Sequence, residues 1–132
     1  AGTKIGSKFS ELYAIMNNIE DKDRIGICID TCHAFAAGYD VSTLSGIDKM
    51  IDEMVDYFDI DKLKIIHIND SKYELNSNKD EHAHIGDGKI GIEGFKNIIN
   101  HKVLRSIPFI LETPQFDGDV DCDVERIKSI RD

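Results

Sequence analysis

The sequence predicts an α/β fold built on parallel strands, and three observations predict it. Apolar runs of strand length alternate with amphipathic helical stretches, in the order helix, strand, helix, strand, helix, strand, helix. Alternation of this kind means parallel strands joined by right-handed crossovers. The strand runs are near-continuously apolar, as in a parallel sheet covered by helices on both faces. Each run also ends abruptly in a polar, metal-ligating side chain, and in such folds ligands gather at the carboxyl ends of the strands. Two architectures satisfy all three observations: an open doubly wound sheet and a portion of a (β/α)8 barrel.

Residues 7–19 read as a helix, with Phe9, Leu12, Met16 and Ile19 at helical spacing. A polar turn over 21–24 leads into a first strand at 25–30. Residues 31–45 read as a loop containing Gly38 and a turn-like Tyr39-Asp40. A helix follows over 48–58, with Ile47, Met50, Ile51, Met54, Val55 and Phe58 on one face. The second strand spans 63–68, and a long polar loop runs from 69 to 91 with Asn69, Asn76, Asn78, Gly86 and Gly88 as turn residues. Loops this long inside a compact domain are usually functional or disordered. A third helix over 92–104 turns Ile92, Phe95, Ile98 and Ile99 inward. The third strand, 108–112, is stopped by Pro114, and Val120, Val124, Ile127 and Ile130 mark a closing helix.

The 132 residues suit a single domain, 1–132, of a size that is stable without disulfides. A composition 41% hydrophobic and 31% charged is globular. No apolar run approaches the roughly 20 residues that span a bilayer, and no signal-peptide pattern is visible, so no membrane partner is expected. Three cysteines, an odd count, point to reduced thiols in an intracellular protein. The net charge of -9 argues against simple electrostatic binding of nucleic acid. It leaves a nucleic-acid enzyme open, because bound divalent cations would offset the charge where a phosphate docks. The chain begins without Met, and residues 1–6 read as the middle of a loop, so it is expected to be a piece of a longer protein.

The chemistry lies in the strand endings. Gly26-Ile27-Cys28-Ile29-Asp30-Thr31-Cys32-His33 delivers Asp30 and His33, residues 64–70 deliver His67 and Asp70, and residues 108–112 deliver Glu112. The loop between them adds Asp80, His82 and His84. Asp30, His33, His67, Asp80, His82 and Glu112 form a mixed imidazole and carboxylate set that suits zinc, and also manganese or iron. With carboxylates in the set and no paired-cysteine pattern, the site is expected to be catalytic rather than structural. Asp80 and His82, two residues apart in extended chain, point the same way and reach one ion together. Asp30 and His33 need not share an ion.

Taken singly, each residue has an ordinary reading. His33 reads as a capped turn residue, His67 as a core histidine, and Asp80 to His82 as solvated loop. Asp70 reads as a turn former or helix cap, His84 as a ligand, a supporting donor or surface, and His101 beside Lys102 as surface. Cys28 and Cys32 are also capable of binding metal, but Cys28 alternates into a buried strand and reads as packing. Jointly the metal reading prevails: His33, His67, His82 and His84 all fall in the strand-end and loop layer, and only His101 does not.

These motifs resemble a known family. Residues 27–33 followed by Ala34-Phe35-Ala36-Ala37-Gly38-Tyr39-Asp40 resemble a signature of the endonuclease IV family of apurinic/apyrimidinic endonucleases. So do residues 67–72 with Asp80-Glu81-His82 and Ile85-Gly86-Asp87-Gly88, and residues 109–113 resemble the family's last strand. Residues 1–6 look like the loop that follows a family Glu ligand.

The resemblance implies that the chain is the C-terminal portion, about three βα units, of a TIM (β/α)8 barrel. It implies a DNA-repair hydrolase carrying up to three zinc ions, with no catalytic group separate from the ligands. Asp30, His67 and Glu112 would hold one zinc, and His33, Asp80 and His82 another. Asp70 and His84, which the resemblance does not assign, are candidate supporting residues beside them. The remaining family ligands belong upstream of Ala1.

The implied reaction is cleavage 5′ to an abasic site in double-stranded DNA, leaving a 3′-hydroxyl and a 5′-deoxyribose phosphate, by a full-length monomer. Glu81 stands where the family usually has Arg, and His84 where it often has Asn or Ser. Two other readings are a metal-dependent sugar isomerase or epimerase of similar barrel plan, and an inactive zinc-binding fragment. A partial barrel would also leave an open sheet edge.

Overall fold

A computed structural model describes residues 8–114 and 120–132. Three strands, β1 (Ile27–Asp30), β2 (Leu63–Ile68) and β5 (Phe109–Leu111), form a parallel sheet in the order β1-β2-β5. Asp30 lies beside His67 across the first pairing, and His67 beside Ile110 across the second. Between β2 and β5, a short β3 (Asp70–Ser71) pairs antiparallel with β4 (His82–Ala83). The helices are α1 (Phe9–Met16), α2 (Thr31–Ala36), α3 (Leu44–Val55), α4 (Gly91–Asn100) and α5 (Val120–Ile130).

Side chains alternate across a strand, and the two faces of this sheet have different fates. Ile27, Ile29, Ile66 and Ile68 are buried against the helices, in a core shared with Phe35, Ile47, Met50, Met54, Phe95 and Ile98. On the other face Cys28 and Ile110 are exposed and Ile65 is half-buried. The expectation of helices on both faces is therefore corrected. Among the described residues the helices cover one face, and the opposite face is apolar but open. Cys28 is exposed there rather than packed. Two residues further along each strand, on this same open face, come Asp30, His67 and Glu112. The face that a closed barrel would turn inward is thus the face that carries the candidate ligands.

Residues 31–36 form α2 where a loop was expected. The Asp30 carboxylate accepts a 3.0 Å hydrogen bond from the His33 backbone N–H, a side-chain cap that opens the helix directly after β1. Thr31, Cys32, Ala34, Phe35 and Ala36 are all buried, so the helix shows no amphipathic period to be read in the sequence. α3 begins at Leu44, ahead of the expected 48, because the Thr43 hydroxyl caps it by accepting from the Gly46 N–H at 3.0 Å. α1 is shorter than the expected 7–19, α4 ends at Asn100 rather than 104, and β2 matches its expected bounds. The readings of Ser7, of residues 1–6 and of the Val120 side chain lie outside the described residues.

Two polar residues are more deeply placed than their sequence surroundings suggest. His101 is 6% exposed rather than on the surface. Its Nδ1 accepts from the Val103 N–H, which leaves Nε2 to donate to Asp48 on α3 at 2.7 Å. Asp70 is fully buried. Its two oxygens accept from the backbone N–H groups of Ser71, Gly86, Gly88, Ile90 and Gly91. It thus caps α4 across space and ties the loop over 86–91 to the end of β2. A Cβ at Gly88 would lie 2.4 Å from the Ser71 carbonyl oxygen and 2.5 Å from an Asp70 oxygen, so the knot closes only around glycine.

Candidate metal centre

Three strand ends and one hairpin build the site. Asp30 leaves β1 and His67 sits near the end of β2, in register with it. Glu112 follows β5, where its carboxylate pairs with His67 Nδ1. Donor atoms of Asp30, His67 and Glu112 converge within 4.8 Å of one another. Beside them stands a second set, Asp80 and His82 from the β3–β4 hairpin and His33 from α2. His33 Nδ1 lies 3.1 Å from Asp80 Oδ2, and His82 Nε2 lies 3.7 Å from Asp80 Oδ1 and 3.4 Å from Asp30 Oδ2. Asp30 therefore touches both sets.

The donor chemistry fits zinc. Ligand atoms sharing one zinc ion, each about 2.0–2.2 Å from it, lie about 3–4 Å apart, and the separations of Asp80 from His33 and from His82 fall in that range. The cluster whose donor atoms all lie within 4.8 Å of one another, however, is Asp30, Cys32, Asp80 and His82, without His33. Imidazole nitrogens with carboxylate oxygens are the donors of catalytic rather than structural zinc sites.

Cys32 also brings its sulfur within reach of Asp30, Asp80 and His82. Its chemistry is that of a neutral donor. Burial pushes the thiol up to about 12, with the hydrogen bond to Asp80 acting in the same direction. Sγ also donates to the Glu81 carbonyl at 3.4 Å. In the metal-free fold Cys32 is thus a protonated thiol inside the Asp80–His82 cluster, and His33 joins that cluster through Asp80.

Asn69, a turn residue by its sequence surroundings, is the organiser of the site. It is fully buried at the junction of all three strands. Its side-chain oxygen accepts from the Glu112 N–H at 2.9 Å, and its amide nitrogen donates to Asp30 Oδ2 at 2.9 Å. The Thr31 hydroxyl bonds both to the Asn69 carbonyl, at 2.7 Å, and to its N–H, at 2.9 Å. Its only sequence signal is its place, one residue past the end of β2 and level with the ligands.

Of the two candidate supporting residues, Asp70 spends its oxygens on the backbone knot described above. His84 turns to α5, where Nδ1 lies 2.7 Å from Asp123 Oδ2. Glu81 is exposed and pairs with Lys72 at 3.2 Å, which together with Tyr73 holds its carboxyl below the usual range.

His82 Nδ1 donates to the Glu112 carbonyl at 3.0 Å, which aims Nε2 at Asp30 and Asp80. The hydrogen bond to Asp30 raises its pKa from 6.5 to about 9, against the opposing effect of burial. A raised folded-state value means that the metal-free fold is favoured by this proton below about pH 6.5, and that this contribution is lost as pH rises through about 9. A metal ion seated on Nε2 must displace the proton. Loading zinc at pH 7 in weakly buffered solution is expected to acidify it by at least one proton per chain, the one held by His82. Loading at pH 10 should release none from His82. Equal release at both pH values would contradict this protonation state.

Among the described residues no helix is long and apolar enough to cross a membrane. Known proteins share both the sequence and the fold. The chain is 55% identical over 131 residues to a probable endonuclease 4 of Halothermothrix orenii, covering 99% of this chain and 47% of that protein. It is 49% identical over 130 residues to a probable endonuclease 4 of Methanosphaera stadtmanae, covering 98% and 45%. The crystal structure of endonuclease IV from Thermus thermophilus superposes with a TM-score of 0.82 at 33% identity, over 98% of this chain and 46% of that one. The chain thus spans about half the length of the relatives it matches, and its parallel sheet is part of a barrel. Residues 1–130 match the model of the xylose isomerase-like TIM barrel family, and the chain belongs to that family.

Proposed function

We propose that this chain, residues 1–132, is the C-terminal part of a zinc-dependent endonuclease that hydrolyses the DNA backbone 5′ to abasic sites and leaves a 3′-hydroxyl and a 5′-deoxyribose phosphate. The observation that carries the reading is the convergence of Asp30, His67 and Glu112 from three adjacent strand ends beside His33, Asp80 and His82. The similarity to proteins named endonuclease 4 supports it.

In this reading Asp30, His67 and Glu112 hold one zinc ion and His33, Asp80 and His82 another, and the upstream half completes the set. Bound zinc supplies Lewis-acid stabilisation of a phosphodiester undergoing in-line displacement and lowers the pKa of water. The chain's residues do the positioning. Asn69 fixes the Asp30 and Glu112 arms against each other, and the Glu112 carbonyl fixes the His82 tautomer. Duplex DNA binds a chain of net charge -9 because the ions are the local positive charge at the phosphate. The abasic nucleotide is cheap to extrude because it has no base to unpair. The full-length enzyme acts as an intracellular monomer.

The test is incision of a duplex carrying one synthetic abasic site by the full-length protein. Cutting 5′ to the site is expected, lost on prolonged chelation, restored by zinc, and lowered by at least about 10³-fold in His67→Ala. No incision by a zinc-loaded protein sinks the reading. Turnover of monosaccharides in its place assigns a sugar isomerase.

A further inference from the structure

Asp123 on α5 belongs to none of the motifs read from the sequence, yet its side chain is fully buried. The carboxylate accepts three hydrogen bonds, from His84 Nδ1 at 2.7 Å, the Ile85 backbone N–H at 2.8 Å and the Thr113 hydroxyl at 2.5 Å. His84 and Ile85 lie just past His82, and Thr113 directly follows Glu112. The two segments that Asp123 joins are therefore those that carry a candidate ligand each.

They also meet on the other side, where His82 Nδ1 donates to the Glu112 carbonyl at 3.0 Å. The result is a closed ring. It runs from His82 along the backbone to His84, across Asp123 to Thr113, one residue back to Glu112, and over the hydrogen bond to His82.

We propose that Asp123 is a positioning residue for the metal centre, closing a ring that fixes where His82 Nε2 and the Glu112 carboxylate stand relative to each other. The proposal rests on the metal reading given above. A buried carboxylate suits the role because it accepts from three donors at once. An amide in the same place offers one acceptor oxygen and turns its N–H₂ group toward other donors. Such partners behind a ligand orient it, and their loss typically weakens metal affinity by about 10–100-fold.

α5 supplies its own control. Arg126, one turn on, also grips the loop, donating to the Ile85 carbonyl at 2.6 Å and to Asp87 at 3.1 Å. It docks the same helix on the same loop, but it lies outside the ring.

The experiment is zinc retention by the full-length protein, titrated with a chromophoric chelator well below the unfolding temperature, with Tm recorded for each variant. Asp123→Asn is expected to release zinc at a free-zinc level about 10–100-fold higher than the parent. Thr113→Val, which removes one bond of the ring and is the milder change should Asp123→Asn fail to fold, should shift release by several-fold in the same direction. Arg126→Ala should lower Tm with no shift in release. If the parent holds zinc and Asp123→Asn and Thr113→Val release it as the parent does, Asp123 is structural only and the proposal falls alone. It falls likewise if zinc loss merely tracks Tm across all three variants. A parent that holds no zinc removes the metal reading, and the proposal with it.

Discussion

Replacing Asp30 is expected to strip metal from both ligand sets at once, because among the described residues its carboxylate is the group that reaches both. It belongs with His67 and Glu112, and its Oδ2 lies 3.4 Å from His82 Nε2. Asp30→Ala should lower abasic-site incision by the full-length protein by at least about 10³-fold, or about 4 kcal/mol of lost transition-state stabilisation. The alanine variant also removes the cap of α2, worth roughly 1 kcal/mol. Asp30→Asn separates the two effects. An asparagine oxygen still accepts from the His33 N–H, so the cap of α2 is kept and only the bond from Asn69 Nδ2 is lost, while incision and zinc content fall as in Asp30→Ala. An asparagine variant retaining parental zinc and activity would contradict the assignment of Asp30 as a shared ligand.

Asp70→Ala is expected to be among the most destabilising single substitutions in the described structure. It leaves five backbone N–H groups around a buried site without their acceptor. A buried donor stripped of its partner costs about 1–3 kcal/mol, and even partial relaxation leaves a loss of about 4 kcal/mol. In a barrel about twice the length of this chain, that corresponds to a fall in Tm of roughly 8–16 °C. The loss should appear in calorimetry of the protein with or without metal, since Asp70 holds the loop and α4 rather than an ion. A drop of only a few degrees, or one seen only in the zinc-loaded form, would contradict that role.

The elements legible in the sequence are those with a strong period and a clear end. β2 is legible to the residue, because a run of Leu and Ile is bounded by charge on one side and Asn69-Asp70 on the other. Asp30, His33, His67 and Glu112 stand out in the sequence because each interrupts or follows an apolar run with a residue that hydrophobic burial does not explain, whereas Asp80 and His82 lie in a polar loop and stand out by their spacing. α2 escapes because every residue but His33 is buried, which erases the helical stripe. β3 and β4, two residues each, are too short to show any period.

The sidedness of the sheet escapes for a different reason. Cys28, Ile65 and Ile110 read as buried strand, but their burial depends on what stands opposite them, and their own apolarity cannot report it. The roles of Asn69, Asp123 and His101 come largely from partners 38 to 53 residues away in the chain, and nothing local distinguishes them from turn formers and surface polar residues. His84 stands out in the sequence as unexplained. Its partner on α5 becomes visible only when the loop is placed against that helix.

The most direct test of the account is where metal sits. Crystals of the full-length protein grown with zinc should give two anomalous-scattering peaks within this half of the molecule. One is expected among Asp30, His67 and Glu112, the other among His33, Asp80 and His82, each with ligand distances of about 2.0–2.2 Å. A peak bonded to Cys32 in place of His33, or no peak at these strand ends in a protein that still cuts abasic DNA, would contradict it.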